Sequence, residues 1–182
     1  MGAERANTLR EQVDSIAEAA GAQRVAVAFH DYGTGEGWDV RGDEWFHAAS
    51  TIKVPVLVGV FAAIEDHDLT IDSRVHVRNQ FYSVVDGAPY RIDSSRDANS
   101  EVHSTIGKTM KLSRLAHHMI VTSSNLATNL LIDAVGLDRV QRTLDELGVQ
   151  GVELRRGVGT SGRTRRGSST ASPRTGSCGC CG

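Results

Sequence analysis

Apolar positions near the N-terminus recur every three or four residues, which is the spacing of one face of a helix. The residues that follow this spacing are Leu9, Val13, Ile16, Ala17 and Ala20. A capping box at Thr8 to Glu11 stands at the start of this run and Gly21 follows it. The pattern therefore predicts a first helix that begins at the capping box and ends at Gly21.

Alternation of apolar and polar residues replaces this spacing after the first helix. Residues 24–30, RVAVAFH, place Phe29 and two valines on one face of a strand. Residues 38–46, WDVRGDEWF, form a second run, and the turn-forming residues DYGTGEG lie between the two. The pattern predicts a β-hairpin, with the glycines of residues 33–37 in its turn rather than in a nucleotide-binding loop.

The stretch from Thr51 to about Ile64 is apolar on all sides, instead of along one stripe. A helix with this pattern is expected to be buried on every side. Pro55 is compatible with it, because the first four helical N–H groups have no partner within the helix and proline is tolerated in the first turn. The helix is therefore predicted to begin close to Ser50.

The second half of the chain is polar at first and then helical. Residues 70–108 show few periodic signals and are expected to be mostly loop. Three helices are predicted after them, separated by a polar break at Thr122 to Asn125 and by glycines. Their apolar positions are Leu112, Leu115, Ala116 and Met119, then Leu126, Leu130, Leu131 and Ala134 before Gly136, then Val140, Leu144 and Leu147 before Gly148.

The overall composition is that of one soluble domain, with 182 residues of which 40% are hydrophobic and 23% charged. A formal net charge of −2 argues against a nucleic-acid partner and against a membrane-surface partner. The N-terminus lacks the apolar run of a signal peptide, and no segment has transmembrane length. The expected location is the cytoplasm, unless an export signal has been removed. No feature of the sequence predicts an oligomeric state.

The composition changes near Gly157. From there to the C-terminus the chain contains no acidic residue and no Leu, Ile or Phe, and it is rich in glycine, serine and arginine. Such a segment cannot bury a core, so residues 1–156 are predicted to form the domain and residues 157–182 a disordered tail. The same change predicts a frameshift or truncation near residue 157. The cysteines at positions 178, 180 and 181 lack the partners of a tetrahedral metal site, and no metal or other cofactor is expected.

A serine and a lysine stand three residues apart at the start of the apolar helix. On a helix Ser50 and Lys53 share a face, and both burial and the helix macrodipole lower the pKa of a lysine placed there. Such a lysine can lose its proton and activate the serine as a nucleophile. The structural alternative makes Ser50 a helix N-cap and Lys53 a first-turn residue whose charge reaches solvent. A second polar cluster, Ser123, Ser124 and Asn125, at a helix junction favours the catalytic interpretation.

Two other polar groupings allow a metal-binding interpretation: the acidic run at residues 65–68 and the pair His117 and His118. Adjacent residues of a helix point in different directions, and the acidic run follows a helix end. Both groupings are therefore predicted to be solvated polar residues.

Two motifs resemble those of class A β-lactamases, within the superfamily of serine β-lactamases and penicillin-binding proteins. FHAASTIKVPVL, around Ser50 and Lys53, is similar to the S-x-x-K helix start of that family. MIVTSSNLATNLLID is similar to its S-D-N loop and the helix after it, with Ser124 where aspartate is usual. The resemblance covers roughly residues 5–156. It implies an α+β fold in which helices pack on an antiparallel sheet beside an all-α subdomain, here incomplete at the C-terminus.

The resemblance also implies a chemistry, the opening of a β-lactam or related amide through an acyl-enzyme. Ser50 is expected to attack the carbonyl, Lys53 to take or relay its proton, and Ser123 to pass a proton to the leaving nitrogen. Asn125 is expected to hold the amide side chain of the substrate, and the N–H of Ser50 to stabilise the oxyanion. The serine at position 124 is expected to remove one carboxylate from beside Lys53.

Two parts of the family pattern have no assigned match in this chain. No glutamate is assigned to deacylation, and Arg174-Thr175-Gly176 resembles the K-T-G motif only in its letters, because no strand pattern surrounds it. The later strands of the family's sheet are expected to be absent, which leaves an apolar face of the hairpin uncovered. Two alternatives stay open. One is an inactive fragment, and the other is an S-x-x-K hydrolase acting on another amide or ester, as a peptidase, an esterase or a serine-type glutaminase does.

Overall fold

The computed structural model describes residues 3–83, 86–154 and 157–158. Its first helix, α1 (Ala3–Ala19), begins before the predicted capping box. Thr8 lies inside the helix, where its hydroxyl donates to the carbonyl of Glu4 at 3.0 Å, so the prediction that the helix starts at Thr8 is wrong. Gly21 follows the helix with a φ of +63°, a left-handed conformation that glycine adopts without a steric penalty.

The predicted hairpin is confirmed. Strand β1 (Val27–His30) pairs antiparallel with β2 (Gly37–Val40), in a register that sets Val27 opposite Val40 and His30 opposite Gly37. The carboxylate of Asp31 accepts a hydrogen bond from the N–H of Gly33 at 2.8 Å and so holds the turn. The second strand is shorter than predicted and ends at Val40. Phe29 remains 58% exposed, so in the described chain no element covers that side of the hairpin over this residue.

The apolar helix begins where the sequence predicts. A short 3₁₀ turn (Ala49–Ile52) leads directly into α2 (Lys53–Glu65). The prediction that α2 is buried on every side is wrong, since Val54 is 60% exposed and Phe61 58% exposed. Its buried face packs against helices from later in the chain. Apolar residues on every side of a helix do not determine which sides are buried. Burial depends on which other elements of the fold pack against each side.

The segment expected to be mostly loop contains several short elements. They are β3 (Arg74–His76), β4 (Phe81–Tyr82), β5 (Pro89–Tyr90), a 3₁₀ turn (Ser94–Arg96) and α3 (Ser100–Ser104). Strand β4 pairs with β5, and β3 pairs with a later strand, β6 (Thr109–Lys111). Elements of two to five residues are too short to show a helical or strand period, which is why the sequence did not predict them.

The three helices predicted after this segment are confirmed. They are α4 (Leu112–Val121), α5 (Asn125–Val135) and α6 (Leu137–Glu146). Together with α2 they supply most of the hydrophobic core, and α5 lies at its centre with eight buried residues. Helices α2 and α6 approach closely at Gly59, where an added Cβ would lie 2.5 Å from Cγ2 of Val140. The described residues therefore form an α+β fold whose helices carry the core.

The C-terminal end of the described chain is attached to α5 by a side-chain amide. Asn129 accepts a hydrogen bond from the N–H of Val158 at 2.7 Å, and its Nδ2 donates to the carbonyl of Val158 at 2.8 Å. Residues 159–182 lie outside the described residues, and with them all but the first two residues of the predicted disordered tail, including its cysteines and Arg174-Thr175-Gly176. Within the described ranges, no helix has the length and apolar character needed to cross a membrane.

Candidate active site

Ser50 and Lys53 stand at the junction between the 3₁₀ turn and α2, in direct contact. The Nζ of Lys53 donates to the Oγ of Ser50 at 3.1 Å. Ser50 is exposed, whereas Lys53 is only 3% exposed. The residue that caps the turn is Ala48, which makes no side-chain cap hydrogen bond. The structural alternative is therefore wrong on both counts, because Ser50 is not the N-cap and the charge of Lys53 does not reach solvent.

The four predicted site residues form one cluster. The Nζ of Lys53 also donates to the Oγ of Ser123 at 3.1 Å and to the Oδ1 of Asn125 at 3.0 Å. The hydroxyl of Ser123 donates to the Oγ of Ser50, again at 3.1 Å. Two hydroxyls and one amine are thus mutually within hydrogen-bond distance, and all three N–H groups of the ammonium have an acceptor.

Two residues of this cluster or beside it have a left-handed backbone. Ala49, immediately before Ser50, has a φ of +47°, and Ser123 has a φ of +58°. A residue with a Cβ adopts this conformation at a cost of about 1–3 kcal/mol, and such strain is concentrated at functional sites. Here one left-handed residue precedes Ser50 and the other is Ser123 itself, and the hydroxyls of these two serines bind the same amine.

The serine that replaces the usual aspartate binds the first turn of α5 and Asp97. Ser124 is fully buried and acts as the N-cap of α5, since its Oγ accepts from the N–H of Ala127 at 3.2 Å. The same hydroxyl donates to the carboxylate of Asp97 at 3.2 Å. Ser124 therefore joins the start of α5 to the carboxylate of Asp97.

Asp97 is a site residue that the sequence did not indicate. Its side chain is fully buried, and its carboxylate accepts from the N–H groups of Asn125 at 2.9 Å and Leu126 at 3.0 Å. The Nε2 of His103 lies 3.0 Å from the same carboxylate. Asp97 thus brings a carboxylate to the Ser123 to Asn125 loop from the segment that was expected to be loop, while the expectation that the serine at 124 removes a carboxylate from beside Lys53 stays a prediction.

Burial and charge act in opposite directions on the lysine. Burial lowers the pKa of Lys53 below the value of an ordinary lysine, and the negative charge of Asp97 opposes this by favouring the ammonium. For Asp97 the balance is different. Burial would raise its pKa, but hydrogen bonds from the N–H groups of Leu126 and Asn125, and from His103 and Ser124, together hold the pKa below the ordinary value. Asp97 is therefore a carboxylate at neutral pH, and its charge acts on an amine that loses its proton more readily than usual.

A second polar contact supports the same loop. The Nδ2 of Asn99 lies 2.8 Å from the Nδ1 of His118 and donates to the hydroxyl of Thr122 at 2.9 Å. His118 is buried, so the prediction that both histidines of the pair are solvated is correct only for His117. Asp97 and Asn99 thus hold the helix junction from two sides, and both come from one short segment.

The acidic run at residues 65–68 is exposed, as predicted. Asp66 and Asp68 form ion pairs with the guanidinium of Arg139 on α6. In the ranges that the structure describes, no group of three or more His, Cys, Asp and Glu side chains is arranged to hold a metal ion.

Comparison with known proteins gives the same family that the two motifs suggest. The β-lactamase enzyme family matches residues 8–176. The chain belongs to this family. A β-lactamase of Rhodobacter capsulatus is 33% identical over 128 residues, which cover 70% of this chain and 39% of that enzyme. The match to the family includes Arg174-Thr175-Gly176, beyond the described residues.

Solved structures of this family share the fold. The ancestral GNCA class A β-lactamase superposes with a TM-score of 0.66 at 26% identity, over 81% of this chain and 52% of that one. A variant of PBP-A, solved as an acyl-enzyme complex with penicillin G, superposes with a TM-score of 0.63 at 25% identity, over 84% of this chain and 53% of that one. The chain therefore spans about half the length of these structures.

Proposed function

We propose that the chain reacts with β-lactams as a serine hydrolase of the class A type, forming an acyl-enzyme on Ser50. The single observation that carries the proposal is the position of the Lys53 amine, 3.1 Å from the hydroxyls of both Ser50 and Ser123. Burial lowers the pKa of this lysine, so its neutral form is more accessible than that of an exposed lysine. Membership of the β-lactamase family supports the same chemistry.

The hydrogen-bond partners of Lys53 are suited to a neutral amine that acts as a base. A neutral amine has two N–H groups and one lone pair. The Oδ1 of Asn125 can only accept, so it takes one N–H, while either hydroxyl can accept or donate. With the second N–H directed to Ser123, the lone pair is left to accept the proton of Ser50. Each of the three partners then has a distinct role around one nitrogen.

The proposed acylation step follows from this arrangement. The Oγ of Ser50 bonds to the lactam carbonyl carbon while its proton passes to Lys53. The carbon–nitrogen bond of the ring breaks, and the ring nitrogen takes the proton of Ser123, which Lys53 then replaces. The N–H of Ser50 is proposed as one donor to the oxyanion. No atom leaves the substrate, so the acyl-enzyme carries the whole opened ring.

Asn125 is proposed to orient the substrate. Its Oδ1 is bound by Lys53, and among the described residues none accepts a hydrogen bond from its Nδ2. That N–H group is therefore available to the amide side chain of a penicillin. The proposal covers acylation only, since the glutamate that class A enzymes use in deacylation has no assigned counterpart here.

The test is to incubate the purified chain with a fluorescent penicillin and to measure its intact mass. Acylation predicts one adduct with the mass of the whole penicillin, present in wild type and absent in Ser50→Ala. Ser15→Ala, on the exposed surface of α1, is the matched control and should be labelled like wild type. A folded wild-type sample that acquires no adduct would contradict the proposal and favour the inactive fragment.

The same measurement distinguishes the other open alternative. If the chain acts on esters or peptides instead, an ester probe will leave only its acyl part on Ser50, because the alcohol departs as the leaving group. Labelling of Ser50 by the ester and not by the penicillin would change the proposed substrate while keeping the nucleophile. Persistence of the penicillin adduct over time reports whether deacylation occurs.

A further inference from the structure

We propose that Asp97 is the positioning residue of this site, fixing the Ser123 to Asn125 loop and, through Asn125, the surroundings of Lys53. Its meaning for catalysis rests on the proposed function, but its effect on Lys53 does not. Asp97 lies 28 residues before Asn125 in the chain, in a segment with no helical or strand period. No sequence pattern assigns Asp97 to the site, so its proposed role rests on the contacts of its carboxylate.

The carboxylate of Asp97 binds the start of α5. The first N–H groups of a helix have no partner within it, and those of Asn125 and Leu126 both donate to the carboxylate of Asp97, at 2.9 and 3.0 Å. Asp97 thus caps α5 from a distant segment. Asn125 is held at both ends, because its backbone N–H binds Asp97 while its side-chain oxygen binds Lys53. Movement of the carboxylate would displace the residue that orients the lysine.

Asp97 also acts on Lys53 through its charge. An ammonium buried among two hydroxyls and an amide has only neutral contacts, and burial alone weakens it as a base. Asp97 favours the protonated form and keeps the amine basic enough to accept a proton from serine. The titratable and charged groups on the neighbouring elements are Lys53 on α2, His103 and Glu101 on α3, Arg114 and His118 on α4, and Asp93. Glu101 is paired with Arg114 at 2.7 Å, so its charge is compensated locally.

Positions 97 and 124 are neighbours, so a carboxylate could be placed at either of them. The Oγ of Ser124 lies 3.2 Å from the carboxylate of Asp97. Ser124→Asp alone would place two carboxylates together in a buried site, which costs stability because like charges repel. In the double variant Asp97→Asn with Ser124→Asp, one carboxylate remains in the pair. We therefore expect Ser124→Asp to be harmful alone and to compensate for Asp97→Asn.

The first experiment is an NMR titration of the lysine side chains, which does not depend on reaction with a β-lactam. The chain has three lysines, and the exposed Lys108 and Lys111 serve as internal references. We expect Asp97→Asn to lower the pKa of Lys53, and the added Ser124→Asp to raise it again, with both references unchanged. An equal Lys53 pKa in wild type and Asp97→Asn would overturn the proposal.

If Asp97→Asn does not fold, the double variant supplies the answer. Recovery of a cooperative melting transition on adding Ser124→Asp supports the exchange of the carboxylate between the two positions. If the double variant fails to fold although Ser124→Asp alone does fold, the proposed role of Asp97 is overturned.

The second experiment applies where the wild type is acylated. The acylation rate of the Asp97→Asn variant should begin to rise at a lower pH than the rate of wild type. The reason is that Lys53 in this variant has a lower pKa and loses its proton at a lower pH. A contact that only stabilised the fold would change the Tm and leave this pH profile in place. Absence of acylation in wild type would remove the proposed function, while the NMR result would still decide the role of Asp97.

Discussion

The amine of Lys53 lies 3.1 Å from the hydroxyl of Ser123, although the two residues are 70 positions apart in the sequence. One belongs to the first turn of α2 and the other to the junction between α4 and α5. Ser123 has a left-handed backbone at this junction, and α2, α4 and α5 pack together in the buried core. The cluster is therefore a consequence of helix packing, and its function depends on the protonation of one nitrogen.

Replacing Lys53 by arginine should stop acylation while keeping the positive charge. A guanidinium remains protonated at any pH at which the protein folds, so it cannot accept the proton of Ser50. We expect the rate of penicillin labelling to fall on the order of 10²–10⁴-fold, the usual contribution of a general base. Lys108→Arg, at an exposed position, is the matched control. Labelling of a folded Lys53→Arg variant at the wild-type rate would exclude Lys53 as the base.

Acylation of the wild type should accelerate as the pH rises. The reactive form has a neutral Lys53, and the fraction of that form increases through the pKa of the lysine, which burial lowers. The midpoint should therefore lie below that of an exposed lysine. Stopped-flow labelling with a fluorescent penicillin, over the pH range in which the fold is stable, gives the profile. A rate that stays constant or falls with rising pH over that range would be inconsistent with a lysine base.

Asp97 should make the fold sensitive to acid. Its folded pKa is below the unfolded value of about 4, so the unfolded chain binds more protons between the two values. The resulting stabilisation is present above the unfolded pKa and is lost as the pH falls through the folded pKa. Asp97→Asn should lower the Tm at neutral pH and flatten its decline in acid. Asp43→Asn, at an exposed position, should keep the wild-type decline.

Gly59→Ala should destabilise the contact between α2 and α6. The new Cβ would lie 2.5 Å from Cγ2 of Val140, and overpacking of this kind costs about 1–3 kcal/mol. Over most of its range, this cost exceeds the gain of about 1 kcal/mol that replacing glycine by alanine brings to a helix. Adding Val140→Ala removes the clashing methyl group. The free energy of unfolding of the double variant should therefore be higher than the sum of the two single effects predicts. Denaturant unfolding of all four proteins measures this coupling, and additive effects would show that the contact is looser than the distance indicates.

The sequence predicted the parts of the site that depend on local spacing. Ser50 and Lys53 are three residues apart at the start of a helix, so their contact follows from helical geometry alone. The resemblance to class A β-lactamases added Ser123 and Asn125, because motif order and context are preserved. Asp97 could not be found in this way, since it belongs to no repeating pattern and its partners lie 27 to 29 residues further along the chain.

What the sequence alone determined is the presence and type of the long elements: the hairpin, the helix after Ser50 and the three later helices. Apolar spacing predicts these because each element must bury a face that its own periodicity defines. The tertiary structure decided which faces are covered and which distant groups meet. Val54 and Phe61 are apolar but exposed, whereas Lys53 and Asp97 are charged but buried. Burial and long-range charge depend on what packs opposite a residue, and only the assembled fold determines that.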